Sequence, residues 1–161
     1  MIYLPTTLNF KIRELSDESP LGNLIQTQFH EPLGTSFTIE GGVQFLKSNN
    51  TATRIFKAKI DTGAFMSLFP YPAFKELNIE DYVRYTLYGI NRIPECAVEC
   101  AISKCRFVLV DSEGKKSKEL STWVAFALTE DIPSLIGMKG ILDSYNFNFD
   151  SKQKQFSLII I

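Results

Sequence analysis

Apolar and polar positions alternate along much of this chain, and the alternation reads as short strands separated by turn chemistry. In Arg54 to Ile60, Phe56, Ala58 and Ile60 share one face while Lys57 and Lys59 share the other. That strand is expected to pair with Gly42 to Leu46 through the turn Lys47-Ser-Asn-Asn-Thr51. Phe107 to Val110 and Trp123 to Leu128 read as two buried strands joined across the polar segment Asp111 to Lys118. Phe147 to Asp150 and Phe156 to Ile161 make a third hairpin around Ser151-Lys-Gln-Lys154. Leu8 to Leu15 reads as a strand ahead of a polar turn at Ser16 to Pro20. Two short helices are predicted, Pro72 to Leu77 after a Pro-Tyr-Pro corner and Met138 to Ser144 after Gly137, neither long enough to organise a fold. The class is all-β.

The 161 residues, 45% hydrophobic and 22% charged, suit one globular domain whose core needs no disulfide. Residues 1–40 read as an N-terminal extension packing on a barrel built from residues 41–161. With 17 basic and 18 acidic residues the charges nearly cancel, so nucleic acid and anionic membrane are not expected partners. No apolar run approaches the ~20 residues that cross a bilayer. Nor does the start combine a basic stretch, an apolar region and a small-residue cleavage site, so a soluble, cytoplasmic protein is expected. Cys96, Cys100 and Cys105 cluster in one segment, and an odd number there suits reduced thiols. Cys96 and Cys100 share a strand face with Val98 and Ile102, where cysteine acts as a small apolar residue. A fourth ligand is missing and the one histidine, His30, is far away in sequence, so neither a metal nor a cofactor is expected. His30, in a loop, receives no role.

Chemistry enters where the apolar strand delivers Asp61 into the small-residue turn Thr62-Gly63-Ala64. A carboxylate following Phe56, Ala58 and Ile60 is costly to desolvate unless hydrogen bonds or a functional need offset the cost. Gly63 can bring its backbone N–H close to that carboxylate, and Thr62 adds a hydroxyl beside it. Asp61, Thr62, Gly63 and Ala64, with Ser67 three residues on, resemble the signature of the retropepsin-like aspartic proteases, the retroviral-type branch of the pepsin clan. Ser134-Leu135-Ile136-Gly137-Met138, running on to Leu142, is similar to that family's late apolar-apolar-Gly motif. Tyr85 to Pro94 stands where the family places a flap hairpin over the substrate.

The resemblance implies a closed β-barrel with a flap hairpin and one or two short helices. It implies Asp61 as the catalytic residue, supported by Thr62, Gly63, Ala64 and Ser67. It also implies a substrate groove touched by Phe65, Met66, Leu68, Tyr88, Gly89, Ile90 and Leu135. For Phe65, Met66 and Leu68, ordinary core packing is the other reading.

Aspartic protease chemistry needs two carboxylates sharing one proton, because like charges so close cannot both ionise. This chain has a single Asp-Thr-Gly; Asp111, in a polar loop, and Asp143, in a predicted helix, lack the strand-to-turn setting. The resemblance therefore implies a homodimer joined at the active-site turn, with Thr62 hydroxyls bonding across it and the chain termini interleaved. Phe156 to Ile161 is β-prone and uncharged in its side chains, and fits either that interleaving or cover from its own chain. The implied function is an endopeptidase that hydrolyses an extended polypeptide with a water activated between two Asp61 carboxylates. The alternative is a non-catalytic dimerising or peptide-binding module on the same scaffold, which would tolerate replacement of Asp61.

Overall fold

A computed structural model describes residues 5–16, 20–88, 97–129 and 132–161. In chain order the elements are β1 (Thr6–Ser16), α1 (Pro20–Phe29), β2 (Thr35–Leu46), β3 (Ala52–Ile60), β4 (Ser67–Phe69), α2 (Tyr71–Leu77), β5 (Val83–Leu87), β6 (Val98–Val110), β7 (Leu120–Ala127) and β8 (Leu135–Ile136). A kinked helical turn at Met138–Leu142 then leads to β9 (Asn146–Asp150) and β10 (Gln155–Ile160). The lateral order β6-β7-β4-β8-β3-β2 returns to β6, because Gly42 to Leu46 of β2 also pair with Arg106 to Val110 of β6. Six strands thus close into a barrel, mixed because β8 runs parallel to β3 and β4 parallel to β7. The all-β class is the one the alternation predicts, and the closed barrel is the one the resemblance implies.

Strand β3 turns Phe56 and Ala58 inward and leaves Lys57 and Lys59 exposed. At the centre of the core the Phe45 ring lies 4.9 Å from Phe69, 5.6 Å from Phe126, 5.9 Å from Phe107 and 6.1 Å from Phe56. Aromatic side chains bring the largest apolar areas, and these tilted and edge-on contacts suit their charge distribution. Strand β7 corrects the expectation of burial from Trp123 onward: Trp123 is 47% exposed, and both faces are covered only from Val124 to Ala127.

The longest strand, β6, serves two layers. Cys105, Phe107 and Leu109 belong to the main core, while Val98 and Cys100 join Leu68, Ala125 and Ala127 in a second, smaller cluster. Burial pushes the Cys100 thiol up to about 11, aided by the charge of Glu99. Burial likewise pushes Cys105 up to about 12, against a smaller opposing effect of its hydrogen bond with Ser103. Both are neutral thiols packed as apolar residues; Cys96 lies outside the described residues. One edge of β6 carries β7, and the other carries β5 and then β2. Of the expected flap, Tyr85 to Leu87 lie on β5, which pairs with β6, while Gly89, Ile90 and Pro94 fall outside the described residues.

Beyond the barrel, β1 pairs with β10 through Thr6 to Lys11 and with β2 through Ile12 to Ser16. Strand β10 pairs with β9 on its other side, so both of its edges are taken within its own chain. Leu8, Phe10, Phe156, Leu158 and Ile160 are buried there. Cover from the same chain accounts for the burial of Phe156, Leu158 and Ile160.

Helices depart most from the sequence reading. Helix α1 was not expected; Pro20 at its first position and apolar Leu21, Leu24 and Ile25 are the signal for it. The expected helix Met138 to Ser144 is instead a turn broken at Lys139 and Gly140, where Gly140 has φ 72°. A side chain on Gly140 would collide with Thr122, so glycine is required and a regular helix is not built. The expected polar turn at Ser16 to Pro20 falls partly on residues 17–19, outside the described residues. Among the described residues no helix is long and apolar enough to cross a membrane.

Candidate active site

The site grows from a strand crossing. Short β8 inserts between β3 and β4, parallel to the first and antiparallel to the second. Lys59 donates its backbone N–H to Ser134 O and Asp61 donates to Ile136 O, each at 2.9 Å. Just beyond, Met138 donates to Ala64 O at 2.9 Å and Lys139 to Phe65 O at 2.8 Å. The turn after Asp61 is thereby laced to both ends of the Leu135-Ile136-Gly137 segment. Gly137 marks the tightest approach, because a Cβ there would lie 2.5 Å from the Met66 carbonyl. Its N–H donates to the hydroxyl of Ser67 at 3.0 Å, and Ser67 is buried. An orphaned donor at that depth costs more than an ordinary hydrogen bond contributes, which is a physical reason for a hydroxyl at position 67.

Within the turn, Gly63 donates its N–H to Asp61 Oδ1 at 2.9 Å and Ala64 donates to Asp61 O at 3.2 Å. One carboxylate oxygen is fixed and the other, Oδ2, accepts no hydrogen bond among the described residues. The side chain of Thr62 is exposed on the same turn.

Asp61 opens into a groove of about 880 Å³. Of the residues singled out in the sequence, Gly63, Ala64, Phe65, Met66, Leu68, Tyr88 and Leu135 line it with Asp61. Thr62 is not among its walls, Ser67 lies buried beneath it, and Gly89 and Ile90 fall outside the described residues. Phe65 is 73% exposed and Tyr88 74%, so neither is a core residue, whereas Leu68 packs in the smaller cluster beneath the groove. Sequence reasoning missed Lys59, Tyr85, Leu87, Ile102 and Pro133 as walls. Lys59 was legible, since it precedes Asp61 by two on an alternating strand; Tyr85, Leu87 and Ile102 reach the groove through the pairing of β5 with β6, and Pro133 through its place just ahead of β8.

Among the described residues, Asp61 is the one carboxylate lining the groove. The other aspartates singled out are occupied as turn caps. Asp111, expected in a polar loop without a strand-to-turn setting, in fact follows β6 directly at a tight turn and is buried: Oδ1 accepts from Glu113 N at 2.9 Å and Lys115 N at 2.8 Å, and Oδ2 accepts from Asn9 N at 3.1 Å. Asp143 Oδ1 accepts from Gly140 N at 2.7 Å and from the Ser144 hydroxyl at 2.9 Å. A carboxylate with one oxygen held and one free can orient a water and take its proton. No three His, Cys, Asp or Glu side chains gather as metal ligands among the described residues.

No protein-family model matches the chain, and no curated protein matches it. Among solved structures, it is similar to the crystal structure of a retropepsin-like aspartic protease from Rickettsia conorii. The two share 17% sequence identity over 99% of this chain and 97% of that chain, with a TM-score of 0.49.

Proposed function

We propose that two copies of this chain assemble into an aspartic endopeptidase, with the two Asp61 turns meeting on a two-fold axis. One carboxylate takes a proton from a bound water while the other, protonated, donates to the carbonyl of the scissile bond. The Thr62 hydroxyls bond across the axis. The substrate is an extended polypeptide, held by main-chain pairing between the groove floor and the β5–β6 hairpin, with apolar side chains against Phe65, Met66 and Leu135.

The observation that carries this reading is the state of Asp61: a lone groove carboxylate among the described residues, held through one oxygen by Gly63 and free at the other. One carboxylate per groove is half of the required pair, which is why the reading calls for a second copy. The test is cleavage of a peptide library across acidic to neutral pH by the parent protein and by Asp61→Asn, with molecular mass in solution measured for both. Cleavage by the parent dimer and an inactive, equally dimeric Asp61→Asn is the expected result. Equal cleavage by both, or a folded parent dimer that cleaves nothing, would reject the reading.

A further inference from the structure

Lys59 lies two residues before Asp61 and lines the same groove. Its neighbours across the sheet are Glu40 on β2 and Leu135 on β8. Leu135 offers no charge, and Glu40 is engaged by Arg13 at 3.6 Å. The ion pairs among the described residues join other side chains, and none ties Lys59 to Asp61 or to Glu40. Lys59 is exposed, and it shares the groove with Asp61 and with apolar Phe65, Met66, Leu87 and Ile102. Among the described residues Lys59 is the one cation lining the groove, opposite in sign to Asp61 and outside every ion pair, so at its own end the groove favours an anionic side chain over a neutral amide.

We infer that Lys59 is a specificity-determining residue and that the groove selects extended peptides carrying Asp or Glu beside the bond aligned with Asp61. The inference rests on the peptidase reading for the position of that bond. Two residues of strand span about 6.6 Å, so an acidic side chain that meets Lys59 belongs one or two residues from the bond facing Asp61. In a two-fold assembly each Asp61 arrives with its own Lys59, and the preference falls on both sides of the bond.

The experiment uses full-length protein carrying Asp61→Asn, immobilised and exposed to random-sequence octapeptides and to peptide pairs differing only in Glu against Gln. Lys59→Met and Lys59→Glu are made in the same background, and the parent protein is assayed for cleavage of the retained peptides. Acidic residues are expected to be enriched about threefold over their amides at low salt, less as ionic strength rises. The enrichment should vanish in Lys59→Met and turn toward Lys and Arg in Lys59→Glu. Equal retention of Glu and Gln peptides, no retention of any peptide, or an acidic preference that survives Lys59→Met would overturn the inference. Acidic peptides retained through Lys59 but left uncut by the dimeric parent would instead reject the peptidase reading and leave the selection standing.

Discussion

Two strand ends in this protein solve the same local problem and finish differently. At the end of β3 and again at the end of β6, an apolar strand runs into an aspartate that starts a tight turn. Asp111 receives three backbone N–H groups on its two oxygens and is 6% exposed. Asp61 receives one, on one oxygen, and faces a groove. The bonds to Asp111 reach from the turn itself to Asn9 on β1, so this carboxylate staples the first strand to the barrel. A saturated carboxylate holds structure together, and a half-saturated one is left able to do chemistry.

The sharpest way to break that contrast is to neutralise each carboxylate in turn. Asp61→Asn is expected to lower peptide cleavage by about 10²- to 10⁴-fold while leaving the thermal midpoint close to that of the parent. Asp111→Ala should do the reverse: cleavage at low temperature persists, while stability falls by about 3 kcal/mol as three part-buried hydrogen bonds lose their acceptor. For a chain of this size that is a drop of about 6–12 °C in Tm by calorimetry. If Asp111→Ala abolished cleavage in a fully folded protein, the division of labour drawn here would be wrong.

Ser67→Ala probes the scaffold beneath Asp61. It strands the Gly137 N–H in the interior and should cost about 1–3 kcal/mol in denaturant unfolding. An unchanged unfolding midpoint would mean that the crossing of β8 over the turn holds without the Ser67 hydroxyl.

The smallest effect concerns pH. Cys105 is pushed up from 9.0 to about 12 by burial, so the folded protein keeps a proton that the unfolded chain releases above about pH 9. Because the unfolded state then binds fewer protons, the thiol's contribution to stability is intact below pH 9 and declines as pH rises toward 12. Urea unfolding at pH 8 and pH 10 should show a smaller alkaline loss in Cys105→Ala than in the parent, with the Lys and Tyr contributions cancelling between the two. Identical losses would remove Cys105 from the account.

Strand alternation made the all-β class legible: Phe56, Ala58 and Ile60 against Lys57 and Lys59 identified β3, and the Asp61 turn followed from it. What could not be read were features set by contacts distant in sequence. Asp111 read as a polar-loop residue because its third partner, Asn9, lies 102 residues away. The turn at Met138–Leu142 looked helical because nothing local announces that Gly140 must pass under Thr122. The groove walls Tyr85, Leu87 and Ile102 depend on the register of β5 against β6, with Leu87 opposite Val98 and Val83 opposite Ile102. Helix α1 was overlooked although Pro20 and its spaced leucines offered a signal, because Leu21 and Leu24 remain exposed and no buried face accompanies the pattern.

Strand β10 is gripped on either side by β1 and β9 of its own chain. Neither edge of β10 is then left for a second copy to pair with. On the proposed reading, assembly then becomes mass action between finished halves: dilution yields stable, idle single copies, and turnover per molecule climbs with abundance. Dose, rather than the unmasking of an unfinished sheet, would decide when such an enzyme is switched on.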